Sequence, residues 1–356
     1  MKNFKIRILN KTIEIKNHFK MNKPIFLFGY NEISIYFLKK NISTICVVDK
    51  KFFKTFKNLN LKKDFEFRSL EKVQPGSTFI NCTTGVDAWK VKAKLNALGH
   101  EVFSWIQTKN ALNLRDFDYW YLVNFDKFFF KNIYKFKKTF KMLSDFQSKR
   151  EFLKILSYKV TGNEQLLKFN CNNIRTQYFP NFIFFNKNSL LIDVGAYDGD
   201  TIKNFLTLDR EYGRIIAFEP DKTNFKKLQK NFFNNQKISL FNKALSSNNK
   251  IMNFHSSNDT SKIDEKGNDK IIVNTLDSLS LIPDFIKVDI EGGEKDFILG
   301  SKETIAKYKP QLAICVYHKS DDFFYLVDLI LGINNRYKIY FRHHSFGFTE
   351  SVMYFI

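Results

Sequence analysis

The stretch LLIDVGAYDGDTIKNFL, residues 190–206, decides the reading of this 356-residue chain. Leu190, Leu191 and Ile192 form a short apolar run, as expected of a strand covered on both faces. Asp193 and Gly195 follow where the strand leaves the sheet. Gly195, Ala196, Tyr197, Asp198 and Gly199 then read as a turn whose glycines let the backbone approach a ligand. Asp200 and Thr201 are caps for a helix carrying Ile202, Phe205 and Leu206 on one side. A strand, a turn and a helix meet here at the kind of crevice that holds a nucleotide-like cofactor.

The next apolar run, RIIAFEP, ends in Glu219 and Pro220, with Glu219 twenty-four residues after Gly195. That is close to the roughly twenty expected for an acid that accepts ribose hydroxyls. Either acid alone reads equally well as a turn cap or a solvated strand end; together, at this spacing, they favour a cofactor. The turn contains Asp193, Asp198 and Asp200. Three carboxylates would repel the diphosphate of a dinucleotide, whereas the sulfonium and ammonium of S-adenosyl-L-methionine would be attracted.

Further motifs follow in order: AFEPDKTNFKKLQKN, NKALSSNNKI, NTLDSL and IKVDIEGGEKDFILGSKETIAKYKPQLAICVYH. With DVGAYDGDT, this succession resembles the FkbM family of S-adenosylmethionine-dependent methyltransferases, from about Gln177 to Ile356. QYFP, residues 177–180, resembles the lead-in of two-domain members. The resemblance implies that Asp193, Gly195 and the turn through Gly199 face the methionine end of the cofactor, Glu219 with Pro220 the ribose, and Lys243 and Ala244 the adenine. It also puts Asp289 at the fourth strand end, beside the methyl group. The acceptor class it implies is a sugar hydroxyl of a surface glycan or its nucleotide-linked precursor. A lipid-linked or small-molecule acceptor, or a non-catalytic nucleotide-sugar module, is the alternative.

A sugar hydroxyl is a poor nucleophile at neutral pH, so a general base or a metal would help. IKVDIEG and AICVYH read as neighbouring parallel strands, which brings Asp289, Glu291 and His318 to one crevice. His318 is the first choice of base, with Asp289 as alternative base or substrate partner. The same three residues are an oxygen–nitrogen set suited to a divalent ion. His343 and His344, in FRHHS, read as an exposed polar loop, with a place lining the acceptor site as the other reading; His18 and His100 receive no role.

The expected fold is α/β. A Rossmann-like class I methyltransferase sheet spans residues 181–356 and closes with an antiparallel hairpin formed by RYKIYFRHH and ESVMYFI. A smaller Rossmann-like domain occupies 1–107, where PIFLFGYNE, TICVVD and STFINCTTG supply strands. Its fingerprint is degraded, because Asn31 and Ser34 follow Gly29 where further glycines would stand; Asp49 is its ribose candidate. Residues 108–180 read as a helical connector.

The formal net charge is +21, with 44% hydrophobic and 17% aromatic residues, enough for two cores. The basic residues are dispersed, and no Asn/Asp-Pro-Pro-aromatic tetrapeptide is present, which argues against a nucleic-acid substrate. KFKKTFK, residues 135–141, reads as a solvated helix face, with peripheral contact to an anionic membrane as the other use. Cys46, Cys82, Cys171 and Cys315 have no metal-ligand spacing and read as buried thiols. No apolar run approaches the roughly 18 residues of a membrane span, so a cytoplasmic location is expected, against the inner membrane face if the basic helix binds lipid.

Overall fold

The computed structural model describes residues 2–20, 24–49, 66–84, 88–116, 124–168, 174–256, 262–263, 267 and 269–356. The chain divides into two compact units. The first comprises Met1–Lys131, Leu153–Cys171 and Ser345–Phe348; the second comprises Asn132–Phe152, Asn172–His344 and Thr349–Ile356. The stretch read as a connector, 108–180, is thus shared between the units and does not form a third.

In the first unit, five short strands run parallel: β1 (Ile25–Phe28), β2 (Ile45–Val48), β3 (Glu66–Ser69), β4 (Thr78–Asn81) and β5 (Glu101–Ser104), in the order β3-β2-β1-β4-β5. Their apolar side chains, among them Phe26, Phe28, Val47, Phe79 and Val102, form a core with Leu95. The connecting helices include α1 (Lys2–Lys20), α2 (Glu32–Lys39), α3 (Ala88–Ala97) and α4 (Trp105–Ala111), followed by α5 (Phe125–Lys131). Helices α6 (Ile133–Met142) and α7 (Phe146–Thr161) complete the largely helical middle of the chain. Part of that stretch, residues 117–123, lies outside the described residues.

The second unit is built on seven strands. They are β6 (Leu190–Val194), β7 (Arg214–Phe218), β8 (Ile238–Phe241), β13 (Phe285–Val288), β14 (Gln311–Cys315), β15 (Ile339–His343) and β16 (Ser351–Phe355), in the order β15-β16-β14-β13-β6-β7-β8. The first five are mutually parallel, while β16 pairs antiparallel with both β14 and β15. The terminal hairpin therefore sits at one sheet edge, with its second strand inside its first. Helices α8 (Asp200–Leu206), α9 (Lys222–Phe232), α10 (Glu294–Leu299), α11 (Lys302–Tyr308) and α12 (Asp322–Ile333) fill the connections. A second small sheet, β9 (Ala244–Leu245), β10 (Lys250–His255), β11 (Lys262–Ile263) and β12 (Asp269–Asn274), has the order β11-β10-β12-β9.

Phenylalanine supplies much of the second core. Phe179 packs on Phe205 and Phe285 with centroids 4.9 and 5.6 Å apart, and Phe185 joins both at 5.0 and 5.4 Å. Burying each such ring contributes about 1.5–3 kcal/mol. On α6, Phe136 is buried against Phe324 at 5.1 Å and Lys138 pairs with Asp328 at 2.7 Å, so the basic, aromatic helix turns Phe136 inward while Tyr134 is exposed. No described helix is long and apolar enough to cross a membrane. Cys46, Cys82 and Cys315 are free and buried; Cys171 lies outside the described residues.

Candidate active site

The carboxyl end of β6 is organised around a buried ion pair. The β6–β13 register sets Asp193 opposite Lys287, and Lys287 Nζ lies 3.0 Å from Asp193 Oδ1, with side chains 4% and 5% exposed. Lys287 Nζ also donates to the Gly195 carbonyl at 2.6 Å, tying the turn to the sheet. Burial pushes the Asp193 carboxyl up to about 6, although Lys287 pulls it down. Burial disfavours charge on Lys287 too, but Asp193, Asp289 and Asp200 outweigh it and hold the amine protonated. The two shifts pull in opposite senses; the pair is ionised at neutral pH, because three carboxylates surround one amine. Asp193 therefore fixes the turn through Lys287, to which its carboxylate is committed.

The glycines are required by packing within the protein. A Cβ on Gly195, at φ +79°, would stand 1.9 Å from the Asp289 carbonyl oxygen; one on Gly199, at φ +89°, would stand 2.2 Å from Phe232 Cε2. They permit strand–turn and helix–turn packing within the protein. Gly199 is also the N-cap of α8, with Asp200 already inside the helix and bonded to the Thr201 amide at 2.7 Å, so Asp200 and Thr201 are not its caps. Ala196 is fully buried, its amide donating to the Phe218 carbonyl at 3.1 Å. Asp198 pairs with Lys203 at 3.2 Å.

Glu219 stands just beyond β7 and clamps the turn. Its Oε2 accepts the Tyr197 amide and its Oε1 the Asp221 amide, both at 2.8 Å. Burial pushes the carboxyl up to about 7, against the two amide donors. Each oxygen keeps a second lone pair for a ligand hydroxyl. Behind it, Asn242 Nδ2 donates to the Glu219 and Pro220 carbonyls at 2.8 and 3.0 Å. Lys243 is part-exposed, while Ala244 belongs to β9 and packs with Phe254 and Val273 in the small sheet's core.

Past β13 and β14, acids gather around one histidine. Asp289 Oδ2 accepts Tyr178 Oη at 2.9 Å. His318, only 1% exposed, has Nδ1 2.9 Å from Glu294 Oε1 and Nε2 3.4 Å from Asp289 Oδ1 and 3.7 Å from Glu291 Oε2. Burial alone would lower its pKa, yet Glu294, Asp289 and Glu291 together push it up to about 10. These three acids favour the charged imidazolium, which speaks against His318 as the base that the sequence suggests. Burial pushes Asp289 up, but Lys287, His318 and the Tyr178 hydroxyl more than reverse this and hold it below the usual carboxylate range.

Residues 193–349 match the family profile described as Methyltransferase FkbM domain. The C-terminal half of the chain is an FkbM methyltransferase domain. A crystal structure of methyltransferase FkbM from Methylobacillus flagellatus KT has the same fold, with a TM-score of 0.80 at 19% identity over 99% of each chain. The 2-O-methyltransferase NoeI of Sinorhizobium fredii (strain NBRC 101917 / NGR234) is 27% identical, with 33% of this chain and 59% of that protein covered. The match thus spans somewhat over half the length of that relative.

Several residues of the FkbM domain's crevice escape sequence reasoning. Lys287 is the lone basic residue inside an apolar strand motif, a signal that a buried partner is needed. Glu294 and Glu350 have no such signal: their roles depend on which strands become neighbours. Gln177 Nε2 donates to Glu350 Oε2 at 2.7 Å and lies 3.2 Å from Tyr178 Oη, so the QYFP segment links Glu350 to Asp289. His343 and His344 are buried, with His343 Nδ1 2.9 Å from Ser351 Oγ and His344 Nε2 2.9 Å from Tyr354 Oη. They brace the terminal hairpin, contrary to the exposed loop expected.

In the first unit, Asn31 and Ser34 form a capping box on α2, with Asn31 Oδ1 accepting the Ile33 and Ser34 amides at 3.0 and 3.2 Å. Those amides are the donors a dinucleotide phosphate would need. Asp49 pairs with Lys94 at 2.6 Å.

Proposed function

We propose that the chain transfers the methyl group of S-adenosyl-L-methionine to a hydroxyl oxygen of a sugar, in a surface glycan or its nucleotide-linked precursor. The observation that carries the reading is the disposition of carboxylates at the sheet's carboxyl edge: Glu219 after β7, the Gly195 turn after β6, and Asp289 and Glu291 after β13. This set fits the donor. Glu219 keeps acceptor capacity for ribose hydroxyls, and Asp198 Oδ1 is shielded from solvent with no hydrogen-bond partner, ready for an ammonium. S-adenosyl-L-methionine supplies an electrophilic methyl carbon on a sulfonium.

The protein's task is to hold the acceptor oxygen in line and remove its proton. Positioning of this kind is worth up to about 7–11 kcal/mol. With His318 enclosed by three acids, the proton acceptor is Glu350, beside Asp289. Burial and the neighbouring Asp289 push Glu350 up to about 7, the range suited to a base at neutral pH, and Gln177 holds it in place. Oxygen as the target is supported by the likeness to a 2-O-methyltransferase. A sugar is supported by the several carboxylates available to accept hydroxyl hydrogen bonds.

The test is incubation with methyl-labelled S-adenosyl-L-methionine and three acceptor sets: nucleotide sugars, lipid-linked glycans and small phenols. Label recovered in a nucleotide sugar or glycan as an alkali-stable methyl ether, with equimolar S-adenosylhomocysteine, is the expected result. Label in the phenols alone, or turnover with none of the three, overturns the sugar assignment.

A further inference from the structure

We propose that Asp289, Glu291 and His318 form a divalent-cation site at the carboxyl ends of β13 and β14. One ligand atom from each lies within 4.8 Å of the others. His318 Nε2 is 3.4 Å from Asp289 Oδ1 and 3.7 Å from Glu291 Oε2. Both separations exceed the roughly 2.7–3.2 Å of an N–H···O hydrogen bond. Atoms bound to one cation at about 2.1 Å, at angles between octahedral and tetrahedral, stand about 3.0–3.4 Å apart. His318 Nε2 is therefore spaced from both oxygens more like a ligand across an ion than like a hydrogen-bonded partner, and contraction of the three would complete the set.

The far side of the imidazole supplies a second observation. Glu294 Oε1 lies 2.9 Å from His318 Nδ1 and also accepts the Ile290 amide at 3.1 Å, so the acid that holds the ring is itself held by backbone. A carboxylate on the outer nitrogen is the usual brace of a metal-bound histidine, directing Nε2 to the ion. Here Nε2 is directed to two carboxylates, and a cation bound between them would displace the proton that these acids otherwise favour on the ring. One nitrogen and two oxygens, with remaining positions open to water or an acceptor hydroxyl, suit Mn2+ or Mg2+.

The cation's task rests on the methyltransferase reading; its binding does not. Bound there, the cation would lower the pKa of an acceptor hydroxyl, whose proton would pass to Glu350. The oxygen then bonds to the methyl carbon while the carbon–sulfur bond breaks, leaving its electron pair on the sulfur of S-adenosylhomocysteine.

The experiment titrates the full chain, stripped with EDTA, with MnCl2 while the electron paramagnetic resonance signal of free Mn2+ is followed. The same preparation is titrated calorimetrically with S-adenosylhomocysteine. One Mn2+ per chain is expected, displaced by Mg2+ and weakened about 10–100-fold in Glu294→Gln and at least tenfold in Glu291→Gln. Glu291 is 19% exposed, so its variant carries the test should Glu294→Gln misfold. No saturable Mn2+ uptake by the wild type, or uptake unchanged in a folded Glu291→Gln, overturns the site. S-adenosylhomocysteine binding without Mn2+ uptake removes the cation alone, whereas Mn2+ uptake without S-adenosylhomocysteine binding removes the methyltransferase reading and leaves the cation site.

Discussion

Lys287 and Asp193 face each other across two strands with almost no access to water, so neither charge tolerates the loss of the other. Lys287→Met should destabilise the second unit by about 3–5 kcal/mol, the cost typical of leaving a buried charge unpaired. Lys287→Met combined with Asp193→Asn should recover most of that loss; urea unfolding of the three variants checks it. A single mutant with unchanged stability would deny the pairing. Glu219 makes a pH prediction. It must be ionised to accept ribose hydroxyls, and burial raises it to about 7. S-adenosylhomocysteine affinity should accordingly be full above pH 8 and fall by at most about tenfold per unit as pH drops below 7. Calorimetry from pH 6 to 8.5 gives the slope, and Glu219→Gln should flatten it. The places of Asp193 and Glu219 at the ends of β6 and β7 were legible in the sequence because each closes an apolar run. The enclosure of His318 was not, because it depends on Glu294, Asp289 and Glu291 converging from another part of the chain.

At the scale of elements, the tight fit of α8 against α9 runs through Gly199. Gly199→Ala would set a methyl group against the Phe232 ring and force an L-residue to φ +89°. A loss of about 1–3 kcal/mol is expected from overpacking, with further cost from the backbone. Thermal unfolding checks this, and a melting temperature equal to wild type would contradict the packing role. The long strands of the second unit were legible because LLIDV and RIIAF are continuous apolar runs covered on both faces. Strand β3 was missed because EFRS is only partly buried, and the small sheet because KIMNFH and DKIIVN put much of their length in solvent. The terminal hairpin was legible as a pair. That β16 inserts between β14 and β15 is a tertiary choice that neither strand encodes alone.

At the scale of the molecule, the two units divide the roles. The first has the parallel order of a half-Rossmann sheet, but its helix amides are capped by Asn31 and its candidate acid Asp49 is paired with Lys94. In the second unit, Glu219, Asp289 and Glu291 stand together at the carboxyl ends of the strands. One measurement tests the central claim most directly: calorimetric titration of the full chain with S-adenosyl-L-methionine and S-adenosylhomocysteine, beside NAD and a UDP-sugar. The account predicts one micromolar site per chain for the first two, lost in Glu219→Ala, and no heat from NAD. Silence from both sulfur compounds, with saturable uptake of NAD or the UDP-sugar, would contradict it.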